Sequence, residues 1–157
     1  MSSPDARLRE DVCRTGASLF TRGLTHGSTG NISVAHPEGG WLMTPTGSSL
    51  GSLDPAKISK LDDRGKHVGG DAPTKEAFLH TTMYAQRTTA RAVVHLHSVH
   101  ATALACLRRE LPAFHYMVAV AGGDNVPCTP YHLFGTQDLS LAVAEAFAER
   151  HACLMAN

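Results

Sequence analysis

The chain has 157 residues, of which 43% are apolar, enough to form the core of one domain. Lysine plus arginine and aspartate plus glutamate both number 14, so the charge balance favours neither nucleic acid nor an anionic membrane as a partner. No apolar run approaches the roughly 18 residues of a transmembrane helix, and the four cysteines form no C-x-x-C pair, which predicts a cytoplasmic protein with reduced thiols.

The first half of the chain alternates turn residues with short apolar runs, which predicts one helix followed by two hairpins. Ser3 and Pro4 suit the N-cap and the first turn of the helix, and Gly23 suits its end. The predicted strands pair 32–34 with 41–44 and 58–61 with 66–68.

The second half predicts helices that alternate with extended segments. The expected helices are 74–87, 98–108 and 136–150. The expected extended segments are 92–97, 117–121, 126–131 and 152–156. Because hairpins accompany this alternation, we expect an α/β fold in which helices cover a mixed sheet.

Two histidines interrupt the segment 92–97, which otherwise has the composition of a buried strand. Side chains alternate along a strand, so His95 and His97 are expected on one face. The two imidazoles could then bind one ion, as neutral histidines bind zinc or manganese. The alternative is structural, because buried histidines often only donate to a backbone carbonyl. The histidines in loop-like contexts are expected on the surface: His26, His36, His67 and His132.

Glu76 offers a carboxylate near the expected start of helix 74–87, where a solvated acid would also favour the helix dipole. Three loops rich in glycine, serine and threonine could present N–H groups and hydroxyls to an anion. These loops are 27–31, 44–47 and 73–75. Ordinary turn chemistry explains any one of them. Together, and with Lys75 as their only charge, they predict a site for the phosphate or carboxylate of a small substrate.

Several motifs in sequence order resemble the class II aldolase and adducin head family across nearly the whole chain. They are GSTGNISV (27–34), TPTG (44–47), PTKEAFLH (73–80), AVVHLHSVHATALACL (92–107), HYMVAVAGG (115–123) and VPCTPYHLFGT (126–136). The resemblance implies a single domain over residues 1–157, with three αβα layers and a mixed, largely antiparallel central sheet.

The same resemblance implies the site residues. His95, His97 and Glu76 would bind a divalent metal, with zinc expected first and manganese or cobalt as alternatives. Glu76 would also act as an acid/base. The phosphate pocket would be lined by Asn31, Thr46, Gly47, Thr74 and Lys75. Tyr116 would reach the active site of the adjacent subunit as a proton donor in a homotetramer.

The reaction implied by the resemblance is metal-dependent carbon–carbon cleavage of a phosphorylated sugar or sugar acid through a metal-stabilised enediolate. The first half most resembles 3-oxo-tetronate 4-phosphate decarboxylases, and Lys75 favours that reading. The stretch 115–136 resembles L-fuculose 1-phosphate aldolases, which would give dihydroxyacetone phosphate and an aldehyde. A third reading is an inactive interaction domain like the adducin head, which has no need for His95, His97 and Glu76 together.

The family pattern also contains a third metal-binding histidine, in an Asn-His-Gly segment directly after the strand that begins at Ala152. The sequence reaches the asparagine of that segment as Asn157, so we expect a domain that lacks the family's C-terminal segment. Two histidines and one glutamate can hold an ion, as His₂Glu sites do. If Glu76 also moves protons, the affinity for the metal should be weak.

Overall fold

The computed structural model describes residues 3–156, and its centre is a five-stranded antiparallel sheet with the strand order β4-β3-β2-β1-β5. The strands are β1 (Asn31–Ala35), β2 (Trp41–Met43), β3 (Ser59–Leu61), β4 (His67–Gly69) and β5 (Ala92–His95). Both predicted hairpins are confirmed, as β1 with β2 and β3 with β4. β5 pairs with β1 and forms one edge of the sheet.

Four helices accompany the sheet in the described residues: α1 (Pro4–Thr21), α2 (Ala77–Gln86), α3 (Val99–Cys106) and α4 (Gln137–Ala146). Ser3 caps α1 by accepting from the Ala6 N–H, and Thr136 caps α4 by accepting from the Leu139 N–H. Two short strands, β6 (Cys128–Thr129) and β7 (Leu154–Met155), form a separate parallel pair.

Hydrophobic cores lie on both faces of the central sheet, which gives the three αβα layers. On one face α1 packs over a cluster formed by Val12, Ile32, Leu42, Leu50 and Ile58. On the other face α2 and α4 form a cluster of Leu79, Met83, Leu139, Val143 and Ala144. The expected α/β fold with a largely antiparallel central sheet is confirmed.

Two expectations about extended segments are wrong. β5 is an edge strand that ends at His95, and Val94 within it is 47% exposed, so this strand is not buried as expected. The segment expected as extended over 117–121 belongs to a 3₁₀ helix, Tyr116–Ala121. Its inward residues, Val118 and Ala121, are three apart, which is the repeat of a 3₁₀ helix.

The placement of His36 on the surface is also wrong, since this side chain is buried at the end of β1. Its Nε2 lies 3.2 Å from a carboxylate oxygen of Asp5, and its Nδ1 accepts from the Glu38 N–H. Asp5 also binds Arg9 and Lys60, so helix α1 covers the histidine. The other loop histidines are exposed at positions 26 and 67 and half-buried at 132.

No helix within residues 3–156 is long and apolar enough to cross a membrane.

Candidate metal centre and anion loops

Strand pairing places the glycine-rich loop against the histidine strand. Asn31 at the start of β1 pairs with His95 at the end of β5. Gly30 has a φ of +77°, and a Cβ at this position would lie 2.9 Å from the His95 carbonyl oxygen. Only glycine tolerates both conditions without strain. The loop 27–31 therefore lies directly beside His95.

The structure brings His95 and His97 together. Their ring centroids are 4.8 Å apart, and the ring planes differ by 33°. Leu96 between them packs against the core on the α1 side, as the strand alternation predicts. Nδ1 of His95 lies 2.7 Å from Oε2 of Glu76. In the neutral ring this contact uses the Nδ1–H, which leaves the lone pair of Nε2 available to a metal.

Glu76 occupies the N-cap of α2, but its side chain makes no capping hydrogen bond. Oε2 instead accepts from Asn31 Nδ2 at 2.7 Å and from His95. Burial acts to raise the pKa of Glu76, but the hydrogen bond and charge of His95, together with the bond from Asn31, lower it to about 2. The carboxylate is therefore ionised, although its side chain is only 13% exposed.

Sequence reasoning missed a chain of buried side chains behind Glu76. His80 Nε2 contacts Asn31 Oδ1 at 2.5 Å, and His80 Nδ1 contacts Ser33 Oγ at 2.7 Å. Ser33 Oγ lies 2.9 Å from the Tyr84 hydroxyl, which also hydrogen-bonds to the backbone of Val93. We call this set the polar layer: Asn31, Ser33, Glu76, His80, Tyr84 and His95.

A spacing signal in the sequence could have revealed the polar layer. Glu76, His80 and Tyr84 are four residues apart along α2, so they follow one helix face. Asn31 and Ser33 are two apart along β1, so they share one strand face. Four helical residues rise about 6.0 Å and two strand residues about 6.6 Å, so the two polar rows meet in register.

Burial sets the protonation of two members of the polar layer. It lowers the pKa of His80 to about 4, an effect that the His95 charge increases and the Glu76 charge opposes. It also raises the pKa of Tyr84 to about 12, although the hydrogen bonds that Tyr84 makes with Ser33 and with the Val93 backbone oppose it. At neutral pH both groups are therefore uncharged.

The two imidazoles fit the first two positions of a metal site. The hydrogen bond of His95 to Glu76 uses Nδ1 and not Nε2. Burial, with the nearby His95 charge, lowers the pKa of His97. Glu76 is adjacent, but its Oε2 already accepts two hydrogen bonds. Within residues 3–156, no three His, Cys, Asp or Glu side chains are arranged to hold an ion. Glu76 as a metal ligand stays a prediction.

The loops 44–47 and 73–75, both predicted to bind an anion, lie side by side. Pro45 and Pro73 form an antiparallel bridge, Thr46 N–H donates to the Ala72 carbonyl, and Thr74 N–H donates to the Thr44 carbonyl. Gly47 has a φ of +70°, and a Cβ there would meet no atom within 4 Å. The space above this glycine is open to a ligand.

The predicted phosphate residues differ in accessibility. Thr46, Gly47 and Lys75 are exposed. Thr74 is buried, and its hydroxyl accepts from the Glu76 N–H at 3.3 Å. Asn31 is 7% exposed and directs both ends of its amide at Glu76 and His80. Loop 73–75 therefore contacts the backbone at the start of α2, and loop 27–31 contacts the Glu76 carboxylate through Asn31.

Tyr116 lies apart from these groups in the described chain. It is 80% exposed, and its ring contacts His115 at 4.4 Å between centroids. Beside it is an open pocket of about 380 Å³, whose lining includes Phe114, Val118 and Asp124 but neither metal-site histidine. A role in the adjacent subunit's site stays a prediction.

The model of the class II aldolase and adducin N-terminal domain matches residues 10–157. The chain belongs to this family. L-fuculose phosphate aldolase of Escherichia coli K12 is 42% identical over 149 residues, which are 95% of this chain and 69% of that relative. The 3-oxo-tetronate 4-phosphate decarboxylase of the same strain is also 42% identical, over 156 residues that are 96% of this chain and 73% of that relative.

A solved L-fuculose 1-phosphate aldolase has the same class II aldolase fold. It superposes with a TM-score of 0.91 at 36% identity, covering 100% of this chain and 74% of that one. The family and its fold, expected from the sequence motifs, are therefore confirmed. Equal identity to an aldolase and a decarboxylase leaves the reaction to be inferred from the site.

Proposed function

We propose that this class II aldolase-family chain is a metal-dependent lyase that breaks a carbon–carbon bond in a phosphorylated sugar or sugar acid. The observation that supports this most strongly is the placement of His95 and His97 beside an ionised, buried Glu76. The hydroxyl-rich loops 44–47 and 73–75 lie side by side, and the Thr74 hydroxyl accepts from the backbone N–H of Glu76. An interaction domain without catalysis has no use for this combination.

The candidate reactions can share one site because they yield the same fragment. Loss of CO₂ from 3-oxo-tetronate 4-phosphate leaves the bonding electron pair beside the ketone, and protonation of that carbon gives dihydroxyacetone phosphate. Retro-aldol cleavage of L-fuculose 1-phosphate leaves the same electron pair and also yields an aldehyde. Both reactions therefore need phosphate binding, stabilisation of an enediolate and delivery of one proton.

The chain's own residues suit these tasks. A divalent cation, for which we propose zinc, would be held by His95 and His97 and would supply Lewis-acid stabilisation of the developing negative charge. Glu76 would carry the proton to or from the substrate carbon. The exposed Thr46 hydroxyl and the open backbone at Gly47 would bind the phosphate and fix its distance from the carboxylate.

We place the decarboxylase first because Lys75 adds an exposed cation beside the anion loops. A sugar-acid substrate carries a carboxylate in addition to its phosphate, and a second anionic group favours a lysine at this position. The aldolase is the second candidate, favoured by Tyr116 within the motif 115–123. In that reading Tyr116 would donate a proton in the site of a neighbouring subunit.

The test is to supply both substrates to the purified protein with added Zn²⁺ or Mn²⁺ and to measure all products. The decarboxylase predicts CO₂ and dihydroxyacetone phosphate from 3-oxo-tetronate 4-phosphate. The aldolase predicts dihydroxyacetone phosphate and an aldehyde from L-fuculose 1-phosphate, without CO₂. Turnover of neither substrate, with no bound metal, would favour the non-catalytic alternative.

A further inference from the structure

We propose that His80 is a positioning residue that, through Asn31, fixes the orientation of Glu76 and the tautomer of His95. Its catalytic consequence rests on the proposed function. His80 is fully buried in α2 and is connected to the carboxylate by two hydrogen bonds, with Asn31 between them. It has no route to substrate, so any effect on the reaction must pass through Asn31.

The direction of each hydrogen bond in the polar layer follows from Glu76. An ionised carboxylate only accepts, so Asn31 presents its amide nitrogen to Glu76 and its oxygen to His80. An amide oxygen only accepts, so the neutral His80 ring carries its proton on Nε2. Nδ1 of His80 must then accept, and Ser33 donates its hydroxyl proton to it.

The Tyr84 end of these hydrogen bonds is consistent with this arrangement. Ser33 donates to His80, so its oxygen remains free to accept from the Tyr84 hydroxyl. Every side-chain polar group in the sequence Tyr84, Ser33, His80 and Asn31 then has one consistent role. A reversed His80 tautomer would leave the Asn31 oxygen facing the Nε2 lone pair without a proton between them. One buried mismatch of this kind costs about 1–3 kcal/mol.

At the Glu76 end of this series of hydrogen bonds, the fixed donor and acceptor roles determine the tautomer of His95. With Asn31 held as a donor, Glu76 Oε2 remains aimed at Nδ1 of His95. The His95 proton then stays on Nδ1, and the Nε2 lone pair stays available to a metal. Carboxylate partners of this kind orient metal-binding histidines. Here His80 extends the support by two further contacts into the core.

Two pairs of variants separate positioning from a general structural role. His80→Gln can keep an N–H donor near the position of Nε2, whereas His80→Leu removes the donor and keeps much of the volume. Ser33→Ala removes the donor to His80. Ser59→Ala is its matched control, because Ser59 is an equally buried serine of the same sheet that donates only to the Asp71 backbone carbonyl.

The first measurement is the ¹⁵N chemical shifts of the imidazole nitrogens in the metal-free full chain. We expect the proton of His80 on Nε2 and that of His95 on Nδ1, with the same pattern in the Ser59→Ala variant. Ser33→Ala should leave that proton on Nε2, because the Asn31 oxygen still accepts it, and should shift the Nδ1 signal, which loses its donor. A proton on Nδ1 of His80, in the unsubstituted protein or in Ser33→Ala, would overturn the proposal.

The second measurement is the affinity for Zn²⁺ alone, by calorimetric titration. Loss of a group that orients a metal ligand costs about 10–100-fold in affinity, so His80→Leu should weaken zinc binding by that factor. His80→Gln should restore most of the affinity, and kcat should follow it with little change in KM. An affinity unaltered in a folded His80→Leu variant would contradict positioning. If that variant does not fold, Ser33→Ala should bind zinc more weakly than Ser59→Ala, and equal zinc affinities of these two variants would contradict positioning.

Failure of the proposed function gives a different result. If neither sugar phosphate is turned over but the tautomers and the zinc affinities are as expected, the positioning role holds and the reaction assignment is wrong. If turnover is present but His80→Leu leaves zinc affinity and the His95 signals unchanged, the lyase stands and the positioning role is wrong.

Discussion

The polar layer and the apolar segment 114–134 differ in whether their side chains find suitable partners within one chain. In the polar layer, buried polar groups of α2 and β1 find partners in one another. In the second region, large apolar side chains face outward, with Tyr116 80% and Phe114 72% exposed. The first region is complete in a single chain, whereas the second presents a surface typical of a subunit contact. We propose that the catalytic base is assembled within each chain and that assembly adds Tyr116.

The largest expected effect is that of Glu76→Gln. The amide cannot carry the proton, and it replaces an ionised acceptor of the bonds from Asn31 and His95. General acid/base catalysis contributes about 10²–10⁴-fold, so kcat should fall by that factor. Steady-state kinetics with Glu145→Gln, an exposed change on α4, provide the control. Retention of full kcat in Glu76→Gln would remove this residue from the mechanism.

The next effect is a loss of stability in acid that arises in the polar layer. The pKa of His80 falls from 6.5 to about 4 on folding, so below pH 6.5 the unfolded chain binds more protons. The free energy of unfolding that depends on a neutral His80 is therefore fully present above pH 6.5 and is lost as the pH falls towards 4. The stability that depends on an ionised Glu76, whose pKa falls from 4.5 to about 2 on folding, is lost only below pH 4.5.

From pH 7 to pH 5 the His80 contribution to the free energy of unfolding should decrease by about 2 kcal/mol. Urea denaturation at the two pH values measures it. His80→Gln has no titrating ring and should show a smaller decrease over the same interval. An equal decrease in both proteins would assign the acid sensitivity to other groups.

Lys75 tests the anion loops and separates the two reactions. A hydrogen bond to a charged group contributes about 1.5–3 kcal/mol, so Lys75→Gln should raise KM by about 10–100-fold for a substrate whose anion it binds. If that anion is the sugar-acid carboxylate, only 3-oxo-tetronate 4-phosphate should be affected. Lys57→Gln, in a separate 3₁₀ turn, is the matched control. Equal KM values with Lys75 replaced would exclude it from substrate binding.

The smallest effect on the stability of the chain itself is expected in the apolar segment. Val120 is 68% exposed, and exposed substitutions usually change the free energy of unfolding by about 0.5 kcal/mol or less. Val120→Asp should therefore leave the fold intact but weaken self-association, as measured by light scattering. An unchanged assembly would show that this surface is not a subunit contact, and a destabilised monomer would contradict the expected tolerance of the fold.

The sequence predicted local elements well because their signals are local. Ser3 and Thr136 are caps recognisable from residue type, and the turn 62–65 has its typical composition. The polar layer was missed because the four-residue spacing of Glu76, His80 and Tyr84 indicates burial only when it is matched with the polar row of strand β1. His36 was misplaced for the same reason, since Asp5 covers it from 31 residues away.

Zinc titration of the purified full chain tests the central claim most directly. The placement of His95 and His97 predicts one Zn²⁺ per chain, and the double variant His95→Ala with His97→Ala should lose it while the exposed pair His26→Ala with His67→Ala retains it. Zinc binding that survives in the first double variant, or no zinc binding by the unsubstituted chain, would contradict a metal centre at this strand.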